Sequence, residues 1–164
     1  MPLPPVRATG LSLFAGQVLT FTVVGSMADD PVNINQNWTP DGQPNGIRTN
    51  DSRYLNGMSQ LKTQQGSLTG VFLTDNPPTS GPTPPMLDMS SAASRDYVSI
   101  SPQLKQPFFI GDGKRSNGTA QQIIVPAGAT RLFLGMHDNI NWANNSGYFW
   151  VTINGSAAKV ALVK

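Results

Sequence analysis

The chain has 164 residues, no cysteine and a formal net charge of +2, and only 12% of its residues are charged. A length of this order predicts one domain with a core of its own. The absence of cysteine excludes disulfides and thiolate metal sites, and the absence of a Lys/Arg run argues against a nucleic-acid surface. The 16 glycines and 14 prolines, with abundant Asn, Ser and Thr, are typical of a turn-rich all-β protein.

The amino-terminal residues, MPLPPVRATG, do not have the charged start and apolar stretch of a secretory signal. No apolar run approaches the ~20 residues that a membrane helix needs, so we expect no membrane insertion. Three origins stay open: a cytoplasmic protein that is later released, a protein exported by another route, and a mature secreted or cell-surface domain that begins at a new Met.

Short strand-like runs recur along the chain. Within residues 17–25, Leu19, Phe21 and Val23 alternate with polar residues, which is the period of a half-buried strand. Further strands are predicted at 67–75, 97–101, 108–110, 121–125, 131–137 and 148–154, with a final edge strand at 158–163. No long segment has a helical period. Short strands separated by turn residues predict a single-domain, jelly-roll-like β-sandwich over residues 1–164.

Two stretches interrupt this pattern. Residues 26–56 contain few apolar residues, and Trp38 is their only large anchor. Loops of this length are uncommon inside a compact domain and are often functional or disordered. Residues 76–85, NPPTSGPTPP, are too rich in proline for a central strand. They predict an extended surface excursion within an insertion near residues 75–96, rather than a domain boundary.

The stretch 131–154 points most clearly to a site. Two strand-like runs flank a polar loop, and such runs joined by Asn and Gly residues predict a hairpin. Oxygen-bearing side chains crowd this loop at Asp138, Asn139, Asn141, Asn144 and Asn145. Calcium takes about six to eight oxygen ligands, so the loop predicts a calcium site. The alternative is that the asparagines only shape turns.

Three segments resemble the PA-I galactophilic lectins, a family of bacterial calcium-dependent galactose-binding proteins. They are 16–23 (GQVLTFTV), 38–42 (WTPDG), and Asp138 followed by 144–149 (NNSGYF), in the family's order across residues 15–154. The resemblance implies a galactose-binding-domain-like sandwich that is a lectin and not an enzyme. It would bind galactose or a galactoside through a surface Ca²⁺ whose coordination the sugar hydroxyls complete. A homo-oligomer is expected, because multivalency raises weak monosaccharide affinity.

The resemblance also implies roles for individual residues. Calcium would be held by side chains, by a loop carbonyl from Asn141 or Trp142, and by a carbonyl from the segment 27–30. The implied metal ligands are Asp138, Asn144, Asn145, Asn141, Trp142 and Asp30. The implied sugar contacts are Asp138, Asn139, Asn144, Gln43, Asn45 and Trp142, the last by stacking on the sugar ring.

The chain departs from the family at two places. The loop from Asp138 to Asn144 is one residue shorter than in the family's best-known member. The family's sugar-contacting His-Pro-x-Gln segment falls near residues 43–45, where the histidine is missing. This loss motivates an alternative, an exported structural or adhesion domain of the same fold that no longer binds sugar.

Catalytic interpretations have less support. His137 is the only histidine, and neighbouring residues of a strand such as His137 and Asp138 point to opposite faces, which disfavours a triad or a zinc site. A glycosidase would need a carboxylate pair, for which Asp75 and Asp112 are the candidates. Trp150 is expected in the core or at a subunit interface.

Overall fold

The computed structural model describes residues 5–28, 37–139, 144–155 and 159–163. Within these residues it contains short β-strands, one 3-10 turn and one short helix, and no helix that could cross a membrane. The elements are β1 (Val6–Arg7), β2 (Val18–Ala28), β3 (Ile47–Thr49), a 3-10 turn (Ser52–Tyr54), β4 (Leu61–Gln64), β5 (Leu68–Leu73), β6 (Leu87–Asp88), α1 (Ala92–Arg95), β7 (Ser99–Ile100), β8 (Phe108–Phe109), β9 (Gln122–Ile124), β10 (Arg131–Met136), β11 (Ser146–Asn154) and β12 (Lys159–Val163).

Two large sheets form the predicted jelly-roll-like β-sandwich in a single domain. The strand order is β1-β10-β5-β8 in the first sheet and β12-β11-β2-β9-β7 in the second. A small third sheet has the order β3-β4-β6. The main core includes Phe72, Phe108 and Phe149, each with 0% of its surface exposed. Removing this apolar surface from water is the main force that holds the sheets together.

The second sheet has one buried and one exposed face. Its buried positions are Leu19, Phe21 and Val23 in β2 and Phe149, Val151 and Ile153 in β11. The intervening residues point outward, as the strand period requires. Trp150 is one of them and is 47% exposed, so it does not lie in the core, and its other predicted place, a subunit interface, stays a prediction. Phe149, Val151 and Ile153 face the core instead.

The hairpin predicted for residues 131–154 is also wrong. β10 pairs with β1 and β5 in the first sheet, whereas β11 pairs with β2 and β12 in the second. The antiparallel pairing with β2 occupies one edge of β11 from Ser146 to Asn154, and β12 occupies the other edge from Phe149 to Ile153. The polar loop between β10 and β11 therefore crosses from one sheet to the other.

The described parts of residues 26–56 are more regular than their composition indicates. β2 continues to Ala28, and the backbones of Met27 and Trp38 exchange hydrogen bonds of 3.0 and 2.9 Å. The Trp38 ring covers Gly66 so closely that a Cβ there would lie 2.1 Å from Cε3 of the ring. Trp38 is thus an anchor, which is the role that the sequence predicted.

The proline-rich segment lies on the surface and outside any strand, but it is tied to the domain. The ammonium group of Lys105 donates to the carbonyls of Ser80 and Gly81 at 3.0 and 3.1 Å. The side-chain amide of Gln106 donates to the carbonyl of Pro85 at 2.8 Å. These bonds fix both halves of the excursion against the loop before β8.

Two glycines allow β2 and β11 to approach closely beside the polar loop. Gly25 has φ +113° and Gly147 has φ +91°, in the region that favours glycine. A Cβ at Gly25 would lie 2.4 Å from the carbonyl oxygen of Tyr148, and one at Gly147 would lie 2.4 Å from that of Ser26. The start of β11, and with it the asparagines before it, is therefore held tightly against β2.

Replacing Gly25 tests this close approach. Gly25→Ala is expected to lower the free energy of unfolding by about 2 kcal/mol or more, because the new Cβ strains φ and collides with backbone. Gly135→Ala in β10 is the control, since its nearest neighbour would be Cβ of Pro5 at 3.7 Å. It should change stability by less than about 1 kcal/mol. Urea unfolding measures both, and equal losses would contradict the packing described.

Candidate cation and ligand site

The polar loop leaves the first sheet after His137 and enters the second at Ser146. In β10 the core-facing residues are Leu132, Leu134 and Met136. Asp138 continues this alternation and is only 7% exposed. Asn145 directly precedes β11, where the alternation is interrupted because Gly147 is exposed and has φ +91°. The carboxylate thus follows a strand of the first sheet and the amide precedes a strand of the second, at the same end of the sandwich.

The amide oxygens of Asn144 and Asn145 are the most unusual feature of this end. Both Oδ1 atoms are buried, and neither accepts a hydrogen bond in the part of the chain that the structure describes. Leaving a buried polar atom unpaired costs about 1–3 kcal/mol. Two adjacent unpaired oxygens of this kind call for a water or an ion. Together with the carboxylate of Asp138, at the same end of the sandwich, they are oxygen atoms of the kind that a hard cation takes.

His137 has a structural role on the opposite face of the strand. Its Nε2 lies 3.1 Å from the carbonyl oxygen of Arg48, and because a carbonyl only accepts, Nε2 must donate. Burial lowers the pKa of His137 to about 4, so the ring is neutral at neutral pH. Its backbone exchanges hydrogen bonds of 2.8 and 2.7 Å with Gly66 and Ser67. His137 therefore fastens the base of the loop to the β4–β5 turn.

The predicted rim residue Gln43 lies in a turn that packs on the same β4–β5 turn. Its backbone N–H donates to the carbonyl of Gln65 at 2.8 Å, one residue from the Gly66–His137 hydrogen bond. The structure thus brings this turn toward the base of the polar loop. The side chain of Gln43, however, folds over Gly46, where a Cβ would lie 2.1 Å from its Oε1. Its amide is directed at its own turn.

The remaining predicted residues fall into two groups. Asn45 and Asn139 are exposed, and the carbonyl of Asn139 accepts from the N–H of Asp51 at 3.1 Å. The others, Asn141, Trp142 and Asp30, lie outside the described residues, and their roles stay predictions.

The ligand types present restrict the metal. Among the described residues, no three or more His, Cys, Asp or Glu side chains converge on a possible metal position. Zinc favours nitrogen and sulfur ligands, whereas calcium accepts amide and backbone carbonyl oxygens. A cation at this end of the sandwich would depend on such oxygens, which are the ligands of hard cations such as calcium.

The carboxylate pair proposed for a glycosidase does not form. Asp75 follows β5 and lies beside the start of β10. Its Oδ1 accepts from the hydroxyl of Thr130 at 3.0 Å and lies 4.0 Å from Nε of Arg131. Asp112 instead lies beside Asp41, whose Oδ1 accepts from the Asp112 N–H at 3.0 Å. The sequence named these two residues only as candidates, because sequence position does not reveal which turns meet in space.

Asp41 and Asp112 belong to a charged cleft of about 590 Å³ that sequence reasoning missed. The other charged residues that line it are Arg95, Asp96, Lys114 and Arg115. Burial raises the pKa of Asp41, and the negative charge of Asp112 raises it further. The hydrogen bond from the Asp112 N–H acts in the other direction and lowers this pKa. Arg95 donates to two backbone carbonyls at 2.8 and 2.7 Å. These contacts join the turns around the cleft, which is a structural role.

Comparison with known proteins gives no relative. No protein-family model, curated protein or solved structure matches the chain. The functional interpretation therefore depends on the residues of the site.

Acid titration tests the placement of His137. Because its pKa falls from 6.5 to about 4 on folding, the unfolded chain binds a proton in this window that the folded chain does not. The contribution of His137 to the free energy of unfolding is therefore complete above pH 6.5. It is lost as the pH falls toward 4, which lowers the free energy of unfolding by ~3 kcal/mol at most. Urea unfolding across this window measures the slope.

His137→Gln is the matched variant, because Gln can still donate to the carbonyl of Arg48. It should flatten the slope between pH 6.5 and 4. Some carboxylates, such as Asp51, Asp88 and Asp96, have lowered pKa values. They lose their contribution to the free energy of unfolding below this pH window. A variant slope equal to that of the parent protein would contradict the buried, neutral ring.

Proposed function

We propose that this chain is a calcium-dependent carbohydrate-binding protein, a lectin for galactose or a galactoside. The observation that carries the proposal is the pair of buried, unpartnered Oδ1 atoms of Asn144 and Asn145 in the described chain. Asp138, at the same end of the sandwich, would supply the negative charge. These are the three side chains that the resemblance to the PA-I galactophilic lectins implies as metal ligands.

The number of ligands explains how such a site binds sugar. Asp138, Asn144 and Asn145 supply fewer oxygens than the about six to eight that calcium takes. Loop carbonyls and two neighbouring hydroxyls of a sugar can complete the set. Asn139 lies in the loop itself, and Asn45 lies in the same turn as Gln43. Both side chains are exposed and can hydrogen-bond the same hydroxyls.

Binding is favoured over catalysis by the state of the other ionisable groups. The ring of His137 is buried, neutral and bonded to a carbonyl, and the candidate glycosidase carboxylates lie apart. We further propose a homo-oligomer that acts in a secreted or cell-surface setting, where several weak sugar sites act together.

The alternative is an exported structural or adhesion domain that keeps calcium without sugar binding. The placement of Gln43 favours it, because this side chain covers Gly46 in a turn that lacks the family's histidine. The two functions share the cation site and differ only in the response to sugar.

Calcium is expected to stabilise the folded protein. A ligand present at a hundredfold excess over its dissociation constant adds about 2.7 kcal/mol to the free energy of unfolding. Asp138→Asn and the double variant Asn144→Ala/Asn145→Ala should lose this gain, whereas the exposed Asn76→Ala should keep it. Thermal melting in millimolar calcium and in EDTA measures the shift. A parent protein that melts identically in both would contradict the cation site.

Galactose should bind only while calcium is present. Isothermal titration of galactose into the parent protein is expected to show saturable heat in calcium and none in EDTA. Asp138→Asn should remove the response, and glucose serves as the control sugar. A calcium-dependent melting shift without a galactose response would favour the alternative function, and absence of both would exclude both.

A further inference from the structure

The outer face of the β2–β11 pair carries an exposed aromatic patch formed by Val24, Tyr148 and Trp150. Tyr148 is 49% exposed, Trp150 is 47% exposed, and Val24, which is paired with Trp150 across the strands, is 60% exposed. The two rings meet edge to face, with centroids 5.9 Å apart and an interplanar angle of 84°. Such a cluster is the kind of surface feature that marks a binding site.

The two strands that carry the aromatic patch have polar but uncharged residues beside it. Ser26 is paired with Tyr148, and Thr22 is paired with Thr152 beside Trp150. None of the residues of β2 and β11 carries a charge. Aromatic faces with hydroxyl groups beside them match a pyranose ring, which has an apolar C–H face and a rim of hydroxyls.

The size of the aromatic patch favours a small ligand over a protein partner. Aromatic side chains bury about 150–250 Å² each, so the half-exposed rings together with the valine offer on the order of 300 Å². A stable protein interface covers about 800 Å² on each partner. These three side chains are therefore too small to hold a second copy of the chain by themselves, but they can cover a sugar ring.

The aromatic patch also continues from the candidate cation site. At about 3.3 Å per residue, Tyr148 lies ~10 Å and Trp150 ~17 Å along the chain from Asn145. A short oligosaccharide whose terminal sugar lies at the cation is long enough to span these distances.

We propose that the aromatic patch is a second carbohydrate subsite. It receives the sugar residues linked to the one at the cation, by stacking on Tyr148 and Trp150. The inference rests on the proposed function and extends it, because it makes the preferred ligand an oligosaccharide that ends in galactose rather than a monosaccharide.

The test compares galactose with a tetrasaccharide that ends in galactose, by isothermal titration in calcium. The parent protein should bind the tetrasaccharide more tightly. Tyr148→Ala/Trp150→Ala should lose about tenfold in affinity for the tetrasaccharide and keep its affinity for galactose. Phe14→Ala, which removes an aromatic ring 63% exposed outside the patch, is the matched control and should bind both ligands as the parent does.

The outcomes separate this inference from the proposed function. The subsite alone is overturned if the double variant binds the tetrasaccharide as tightly as the parent does. It is also overturned if a folded double variant loses affinity equally for the tetrasaccharide and for galactose. A change in sedimentation of the double variant means that the patch is a subunit contact, which also overturns it. If the parent protein binds neither ligand, the proposed function and the subsite fail together.

Discussion

The pairing of β2 with β11 along the full length of β11 is the constraint on which the rest depends. It joins Ser146 to Ala28 at one end and Asn154 to Thr20 at the other, and it needs glycine at 25 and 147 for the backbones to approach. This pairing takes β11 away from β10 and places it in the second sheet. The loop between them therefore crosses from the first sheet, where β10 ends at Met136, to the second, where β11 begins at Ser146.

That crossing explains how the fold can hold buried oxygens without partners. In a hairpin tip, the amides of Asn144 and Asn145 would turn to solvent at little cost. Both oxygens are buried instead, and each unpaired oxygen costs about 1–3 kcal/mol. A cation that binds all of them with Asp138 offsets this cost, so cation binding and the stability of the loop are expected to be coupled.

Sequence patterns predicted the strands well where one face is apolar and the other polar. Leu19, Phe21 and Val23 alternate with threonine, and their burial is as predicted. In β11 both faces carry large apolar side chains, so the period of two could not tell whether Phe149 or Trp150 faces the core. The sheet partner of β11 and the meeting of Asp41 with Asp112 depend on contacts distant in sequence, which no local pattern contains. The cluster of oxygen-bearing side chains after β10 could be predicted, but not that the two strands flanking it belong to different sheets.

The most direct test is a crystal structure of the protein grown in millimolar calcium, with anomalous data collected at long wavelength. The cation site predicts an anomalous peak at about 2.3–2.6 Å from a carboxylate oxygen of Asp138 and from the Oδ1 atoms of Asn144 and Asn145. Ordered water at this position without an anomalous peak, or amide oxygens turned to solvent, would contradict it.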